Sequence, residues 1–300
     1  MEPSPAVEAF ESSAAVHLGT RDVLVVSGPD AAEYLQGQIS QDVNGLSLGE
    51  SRATLVLQPQ GKVDAYMRIT KVADATYWLD VDAGWGEVAQ ARLERFKLRV
   101  DCTIEQQAMP ALSVRGAGSG AGAGPDVLGI DVPPDAVVAA APWPTHPGYD
   151  VLGWSGEAPV SLPVATDDEF DGLRIRNGVP RMGAELDDAT IPAAAGVVDA
   201  SVDFTKGCYV GQELVARVDS RGSNTPTRLW GITMAAGVAV APGDALVSDG
   251  AEVGTVTSVA GTSAVGPVAL AYLKRSAPAP GPLAIAGSEA AVEAVSLPIG

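Results

Sequence analysis

Residues 202–217 read VDFTKGCYVGQELVAR, and this stretch decides how the rest of the chain is interpreted. Cys208 is one of only two cysteines in 300 residues, and it stands two residues after Lys206. Positive charge and the first amides of a helix both favour a thiolate, which is the reactive form of cysteine. Because Lys206 and a helix beginning near Gln212 are candidates for these two effects, the pattern favours an exposed, activated Cys208.

The same residues are equally compatible with a structural role. Free cysteine is among the most buried residue types, so Gly-Cys-Tyr also fits a buried turn. Glycines at 207 and 211 permit a sharp change of direction in either case. The residues alone leave both interpretations open.

The overall composition is acidic. The chain carries 37 Asp and Glu against 19 Lys and Arg, which gives a net charge of −18 and a pI of about 4.3. Such a field repels phosphate, so we expect no nucleic-acid partner and no anionic membrane surface. The first 13 residues are acidic and proline-containing, unlike a secretory signal. We therefore expect a cytoplasmic protein with reduced thiols, and the Ala, Gly and Val bias suggests a bacterial source.

Several common cofactor motifs are missing from the sequence. The glycine-rich tract GAGSGAGAG at 116–124 lacks the strand–turn–helix setting that a dinucleotide requires, and no nucleoside-triphosphate loop is present. His17 and His146 have no partners at metal-ligand spacing. Two distant cysteines cannot alone hold an iron–sulfur cluster, which usually takes four thiolates. We therefore expect no resident metal.

The first half of the chain reads as an α+β unit. Apolar periodicity and turn residues predict a strand feeding a helix, a hairpin, a further strand and helix, and two closing strands. The corresponding ranges are 23–27, 28–40, 52–58 with 62–72, 76–82, 85–98, 99–107 and 111–116.

The second half changes character twice. The glycine tract predicts a surface loop, and the proline-rich stretch up to about 165 shows no clear elements. Thr166 and Glu169 have the spacing of a capping box, which predicts a helix that ends at Gly178. A short helix follows at 213–218, and from Arg228 short β-rich runs separated by glycine turns predict a small barrel or sandwich.

The segment around Cys208 resembles the signature of the YgfZ family, folate-binding proteins that support iron–sulfur enzymes and are related to the glycine cleavage T-protein. Similar stretches lie at 28–43, 58–69, 174–186 and 252–260. The matching signature positions are Lys206, Gly207, Cys208, Tyr209, Gly211, Gln212, Glu213 and Arg217.

This resemblance implies the fold and the cofactor. The expected fold class is α+β, with two interleaved α+β subdomains and a C-terminal β-barrel arranged as a three-part ring. Residues 1–225 would form the folate-binding region, with a subdomain boundary near 115–165, and residues 226–300 would form the barrel. Tetrahydrofolate or a one-carbon derivative would bind in the central channel of a monomer.

The resemblance also implies cofactor-binding residues. Asp64 falls at or near a hairpin carboxylate that contacts the reacting end of folate, although a solvated strand face explains it equally well. T-proteins usually have a glutamate that holds the pterin where this chain has Arg176, and a cation cannot accept the pterin's N–H donors. Asn177 or another residue would then supply the acceptor.

A group of arginines concentrates positive charge in this otherwise acidic chain, where it would attract the glutamate tail of folate. The alternative is ordinary ion pairing with Asp187, Asp188, Asp199 or Asp219. The arginines are Arg174, Arg176, Arg181, Arg217, Arg221 and Arg228.

The leading hypothesis is a tetrahydrofolate-binding protein that supports iron–sulfur cluster assembly or repair, with client proteins or the assembly machinery as partners. Cys208 would be the nucleophile or a transient ligand, and Lys206 its charge partner. Tyr209 and Gln212 would support it by hydrogen bonds, and Glu213 and Arg217 would fix the segment.

Two alternatives remain beside this hypothesis. One is a folate-dependent aminomethyl or one-carbon transferase that uses Asp64, and the other is a non-catalytic scaffold. Arg176 and Cys208 both depart from the T-protein pattern. We therefore expect an accessory factor rather than a glycine-cleavage aminomethyltransferase.

Overall fold

The structure is a computed structural model that describes residues 3–118, 124–288 and 290–300. Most of the glycine tract, residues 119–123, lies outside these ranges, so the loop predicted there stays a prediction. Within the described ranges, no helix combines the length and the apolar content that crossing a bilayer requires.

The described residues form helices and strands in the following order. The helices are α1 (Pro5–Ser12), α2 (Ala31–Gln38), α3 (Gly86–Glu94), α4 (Pro125–Leu128), α5 (Asp167–Arg176), α6 (Pro192–Ala195), α7 (Val198–Ser201) and α8 (Gln212–Ser220). The strands of the first part are β1 (Ala15–Ser27), β2 (Ser51–Leu57), β3 (Val63–Ala73), β4 (Thr76–Asp82), β5 (Thr103–Arg115), β6 (Val137–Ala141) and β7 (Gly148–Leu152). The strands of the second part are β8 (Thr227–Met234), β9 (Ala245–Ser248), β10 (Ala251–Ala260), β11 (Val268–Lys274), β12 (Gly281–Ile285) and β13 (Ala291–Val295).

One antiparallel sheet organises the first part of the chain. Its strand order is β2-β3-β4-β1-β5-β7-β6, and β1 pairs with β4 on one side and β5 on the other. The sheet curls strongly. This is shown by Arg68 on β3, which donates to the carbonyls of Ala139 and Ala140 on β6, at 3.2 and 3.0 Å. Strands near opposite edges of the sheet therefore meet.

The two faces of this sheet have different chemistry. Along β3, Val63, Ala65 and Met67 are buried in the main apolar core, which α2 and α3 also contribute to. The alternate residues Tyr66 and Arg68 are only partly buried and lie on the other face.

That second face carries a chain of alternating charges. The pairs are Arg115–Asp150 at 2.9 Å, Asp150–Arg68 at 2.8 Å, Arg68–Asp80 at 2.9 Å, Asp80–Arg21 at 3.0 Å, and Arg21–Asp82. Each inner member has an opposite charge on both sides, so these buried groups compensate one another.

The second part is a closed barrel with the strand order β10-β11-β8-β13-β12-β9 and its own apolar core. Closure leaves no unpaired sheet edge. The predicted α+β class with a C-terminal β-barrel is confirmed. The domain boundaries near 115–165 and at 225 stay predictions.

Local predictions agree with the structure where the sequence carries strong signals. The hairpin is β2–β3, and the Thr166–Glu169 capping box begins α5 as expected. The strands predicted at 99–107 and 111–116 are instead one strand, β5, because it pairs with β1 along its whole length. Pro110 lies within it, and its carbonyl accepts from Gly153 and Trp154.

The proline-rich stretch contains two strands that the sequence did not reveal. β6 and β7 pair with each other, and β7 also pairs with β5, which extends the sheet. Each has only five residues, and all five in β7 are buried. A short strand without apolar–polar alternation gives no periodic signal.

Glu185 connects the barrel to the rest of the molecule. Its side chain is completely buried and accepts from Arg174 at 3.1 Å, from Ser258 at 2.5 Å and from Thr257 at 2.8 Å. Its backbone carbonyl accepts from the Tyr272 hydroxyl at 2.8 Å. Three of these partners lie on β10 and β11, so one carboxylate links α5 to the barrel.

We predict that Glu185→Ala lowers the free energy of unfolding by about 3 kcal/mol, because Arg174 keeps a buried charge without its main partner. Urea unfolding followed by circular dichroism measures this difference. Glu252→Ala is the matched control, since Glu252 forms only an exposed 3.7 Å pair with Lys274. Equal effects of the two substitutions would contradict the linking role of Glu185.

Candidate functional site

The segment that carries Cys208 is anchored to the end of α2 by Lys206. The Lys206 ammonium donates to three backbone carbonyls, those of Gln36 at 2.7 Å, Ile39 at 2.7 Å and Gln41 at 2.8 Å. A helix C-terminus leaves such carbonyls without partners and attracts positive charge. All three N–H donors of Lys206 are therefore used on this helix end.

Burial shapes the charge of Lys206. It lowers the pKa of Lys206 to about 8, while the carboxylates of Asp42 and Asp203 act in the opposite direction. The side chain thus remains mostly protonated at neutral pH, as three acceptor contacts require. The ammonium also lies 5.2 Å from the ring centre of Tyr209, within cation–π range.

Shorter contacts reinforce this anchor. The Asp203 amide donates to the carbonyl of Ser40 at 3.0 Å, and the Ser40 hydroxyl donates to the carbonyl of Ser201 at 2.6 Å. The Asp203 carboxylate then accepts from the amides of Thr205 and Lys206, at 2.7 and 3.1 Å. These bonds fix the turn that leads into Cys208.

Gly211 brings the far end of the segment against the β2–β3 hairpin. Its φ of +85° suits glycine, and a Cβ there would lie 2.5 Å from the carbonyl oxygen of Gln58. Gly61 in the hairpin turn, with φ +70°, packs equally closely on Leu214 of α8. By contrast, a Cβ on Gly207 would meet no atom within 4 Å.

Cys208 is exposed on this anchored segment, whereas Cys102 is buried, and burial raises the pKa of the Cys102 thiol. The structure therefore excludes the buried-turn interpretation of Cys208. It also changes the role of Lys206, whose three donors all face backbone carbonyls at and just beyond the end of α2. The predicted charge pairing of Lys206 with the thiol is not what the structure shows.

The remaining signature residues surround the segment. Tyr209 is buried, and its amide donates to the side-chain carbonyl of Gln212 at 3.1 Å. Glu213 and Arg217 are exposed on α8. Their predicted fixing role stays a prediction.

Asp64 lies at an irregularity of the hairpin. Val56 pairs with Ala65 and Leu57 with Val63, so Asp64 is the extra residue of a β-bulge. Its carboxylate accepts from Arg92 on α3 at 2.7 Å, and Arg92 also donates to the carbonyl of Leu57 at 2.7 Å. The alternative of a simply solvated strand face is therefore wrong.

Four of the five N–H donors of Arg174 are engaged within the protein. Arg174 is buried and donates to Asp171 at 2.6 Å, to the Val179 carbonyl at 2.7 Å, to Glu185 at 3.1 Å and to Ser258 at 2.9 Å. Its predicted cofactor contact is thus replaced by a structural role.

Asn177 is occupied in the same way. It is 2% exposed, and its side-chain oxygen accepts from the amide and hydroxyl of Thr145, both at 2.9 Å, and from the His146 amide at 3.2 Å. Its NH₂ group donates to the Leu173 carbonyl at 2.9 Å. The prediction that Asn177 replaces the missing pterin acceptor therefore fails, because its acceptor is already saturated.

Ion pairing also accounts for several of the clustered arginines. Arg176 pairs with Glu11 of α1, and Arg181 pairs with Asp171 at 3.1 Å. The ion-pairing alternative is therefore correct for these arginines and for Arg174, although the partners differ from the four aspartates expected.

Two further features of the described residues bear on the site. They contain no group of three or more His, Cys, Asp or Glu side chains placed to hold a metal ion. A cavity of about 270 Å³ lies between α6, α7 and β8, and its lining includes Asp199, Ser223 and Arg228. Of the arginines predicted to attract the glutamate tail of folate, Arg228 lines this cavity, whereas Cys208, Lys206 and Asp64 do not.

Comparison with known proteins identifies the class of fold. No family model matches the sequence. The glycine cleavage system aminomethyltransferase T from Bartonella henselae superimposes with a TM-score of 0.82 at 20% identity, over 98% of this chain and 88% of that one. The fold is thus that of the glycine cleavage T-protein.

Sequence relatives narrow the assignment. The tRNA-modifying protein YgfZ of Edwardsiella ictaluri is 27% identical over 68% of this chain and 66% of its own length. An iron–sulfur cluster assembly factor IBA57 homolog of Chaetomium globosum is 30% identical over 68% of this chain and 53% of its own. An aminomethyltransferase of Streptomyces coelicolor is 26% identical over 94% of this chain and 84% of its own.

The chain spans about half the length of the IBA57 relative and about two thirds of the YgfZ relative. These similarities and the shared fold place it in the aminomethyltransferase superfamily. Within that superfamily, the chain is a YgfZ-like member.

We predict that Lys206→Met lowers the free energy of unfolding by about 1–3 kcal/mol, because three carbonyls at and beyond the end of α2 lose their donor. Urea unfolding measures the loss, and proteolysis should cleave the 202–211 segment faster. Lys274→Met is the control, since the Lys274 side chain is half exposed. If Lys206→Met leaves both the free energy of unfolding and the rate of cleavage of the 202–211 segment unchanged, the three hydrogen bonds do not hold this segment.

Proposed function

We propose that this protein binds a tetrahydrofolate and supports assembly or repair of iron–sulfur clusters through Cys208. The observation that carries the proposal is the exposed thiol of Cys208 on a segment that Lys206 anchors to α2. A fixed, accessible thiol in a protein whose other cysteine is buried is suited to one defined reaction or ligation.

The names of the relatives support the iron–sulfur part of the proposal. One set is named for cluster assembly and another for tRNA modification. A net charge of −18 disfavours direct contact with tRNA. We therefore propose protein partners in the bacterial cytoplasm, namely iron–sulfur enzymes or their assembly machinery, with any effect on tRNA passing through them.

The residues around Asp64 fit a reduced folate in one respect. One carboxylate oxygen of Asp64 is held by Arg92, which leaves the other to accept from a ligand amine. A bound tetrahydrofolate would supply nitrogen atoms that carry one-carbon groups. Asp64 would orient one of them, and Arg92 would hold Asp64 in place.

The chemistry available at Cys208 is limited because this residue supplies only one thiolate. A single thiolate supplies one ligand to iron, and a cluster usually takes four. Because the described residues offer no metal-binding group, the other ligands would come from a partner or a small thiol. Cys208 would thus act in transfer or repair rather than storage, while the Gln212 contact keeps the Tyr209 backbone beside it fixed.

We predict that Cys208→Ala abolishes most of the support for iron–sulfur enzymes in cells that lack the native copy. Cys102→Ala is the matched control, because Cys102 is buried and its thiol is not available to partners. Both variants are compared at equal protein level by the activity of a cluster-containing enzyme. Undiminished activity with Cys208→Ala would remove the proposed role of this residue.

A one-carbon transferase is the second candidate. The aminomethyltransferase relative aligns over 94% of this chain, and Asp64 lies on a bulge of the kind often found near active sites. An aminomethyl-transfer assay with tetrahydrofolate and a lipoyl carrier protein separates the candidates. Turnover that disappears in Asp64→Asn would favour the transferase, and no turnover would favour the accessory factor.

Binding of tetrahydrofolate distinguishes the proposed function from the alternative of a non-catalytic scaffold. Titration calorimetry with tetrahydrofolate should give saturable heat if the proposal is correct. No heat at high ligand concentration would favour a scaffold that recruits partners around Cys208 without folate.

A further inference from the structure

A row of polar residues crosses three neighbouring strands of the curled sheet. Arg21 on β1 pairs in register with Asp82 on β4. On the other side of β4, Arg68 of β3 pairs with Asp80, and Tyr66 lies two residues from Arg68 on the same face of β3. Met182 contacts both the Asp82 carboxylate and the Tyr66 amide. Tyr66, Asp82 and Arg21 therefore lie near one another, and we call them the polar row.

The sheet opens at this row. Regular pairing of β3 with β4 ends at Arg68 and Asp80, two residues before Tyr66 on β3 and Asp82 on β4. Met182 occupies the gap, where its amide donates to Asp82 at 2.9 Å and its sulfur accepts from the Tyr66 amide at 3.3 Å. The two strands are thus held apart by a residue from a different part of the chain.

The charged side chains of the polar row are more exposed to solvent than the neighbouring charged side chains. The side chains of Arg21 and Asp82 are 28% and 26% exposed, whereas those of Arg68 and Asp80 are 12% and 0% exposed. Arg21 and Asp82 form the accessible end of the charge chain. Asp82 accepts from Arg21 and from the Met182 amide, and a carboxylate has about four acceptor sites, so capacity remains.

Tyr66 adds an unused hydroxyl. Among the described residues, the Tyr66 hydroxyl has no hydrogen-bond partner. Burial and, to a smaller extent, the Asp82 carboxylate raise the pKa of Tyr66 to about 12, while Arg68 and Arg21 act in the opposite direction. The hydroxyl therefore stays protonated at neutral pH and lies within electrostatic range of these charges.

We propose that the polar row binds a planar ring that carries adjacent N–H donors and a carbonyl acceptor, namely the pterin end of a reduced folate. Asp82 would accept the N–H groups, while Arg21 and the Tyr66 hydroxyl would donate to the acceptors of the ring. This assignment rests on the proposed folate binding, and it supplies the carboxylate that neither Arg176 nor the saturated Asn177 can provide.

The dimensions agree with such a ligand. Two regular inter-strand spacings amount to about 10 Å, and the gap that Met182 occupies makes the row wider than this, so a fused two-ring system can lie along it. Asp64 precedes Tyr66 by two residues on the same strand, about 7 Å away along β3. A ring on the polar row would therefore place the adjoining part of the folate near Asp64.

Calorimetry tests the proposal with tetrahydrofolate and with two fragments, 6-methyltetrahydropterin and p-aminobenzoylglutamate. We expect Tyr66→Phe to weaken tetrahydrofolate binding by about threefold to tenfold and Asp82→Asn by tenfold or more. The pterin fragment should compete with tetrahydrofolate and should lose affinity in the same variants, while p-aminobenzoylglutamate should be unaffected by them.

Tyr77→Phe is the matched control, because Tyr77 lies on β4 but on the buried apolar face. It should leave binding unchanged. Thermal melts establish folding, and Tyr66→Phe decides alone if Asp82→Asn does not fold. Normal tetrahydrofolate binding by Tyr66→Phe and by folded Asp82→Asn would overturn the polar row but not the proposed function. No binding by the unaltered protein would overturn both.

Discussion

The ammonium of Lys206 and its three backbone acceptors are the constraint on which the site depends. They join the end of α2 to a segment more than 160 residues later in the chain, with donor–acceptor distances of 2.7–2.8 Å. Three oriented carbonyls at a helix end compensate for the burial that lowers the pKa of Lys206. Because Asp203 and Ser40 add further bonds, and Gly211 fits against the hairpin, the segment has one position. Cys208 is exposed at its surface while its neighbours are held. This combination makes the thiol available without making the loop mobile.

Most of the arginines discussed above form ion pairs within this acidic protein. Several arginines that could attract an anionic ligand instead pair with buried or half-buried carboxylates. Arg174 pairs with Glu185, and Arg176 pairs with Glu11. Removing one member of such a pair would leave an uncompensated charge, so these groups specify the fold more than they bind ligands. The exception is the accessible end of the charge chain at Arg21 and Asp82. There the regular strand pairing ends, and the side chains of Arg21 and Asp82 keep about a quarter of their surface exposed.

The sequence was informative where local chemistry fixes local structure. The capping box at Thr166, the β2–β3 hairpin and the β-rich C-terminal region all follow from short-range patterns, and the family resemblance supplied the closed barrel.

β6 and β7 were missed because five-residue strands between prolines have no periodic signal. Lys206 was assigned to Cys208 because the two are close in sequence, but the direction of a side chain in a turn depends on what lies across from it. Likewise, no pattern links Tyr66, Asp82 and Arg21, which only the fold brings together.

We propose that Lys206 makes Cys208 functional by holding its segment at the end of α2. The most direct test measures the activity of a cluster-containing enzyme in cells that depend on Lys206→Met, grown at a temperature where this variant is folded and as abundant as the unaltered protein. We expect enzyme activity to fall towards that of cells lacking the protein, even though the Cys208 thiol still reacts with an alkylating reagent. Full enzyme activity in those cells would contradict this proposal, because an unanchored Cys208 would then serve as well as an anchored one.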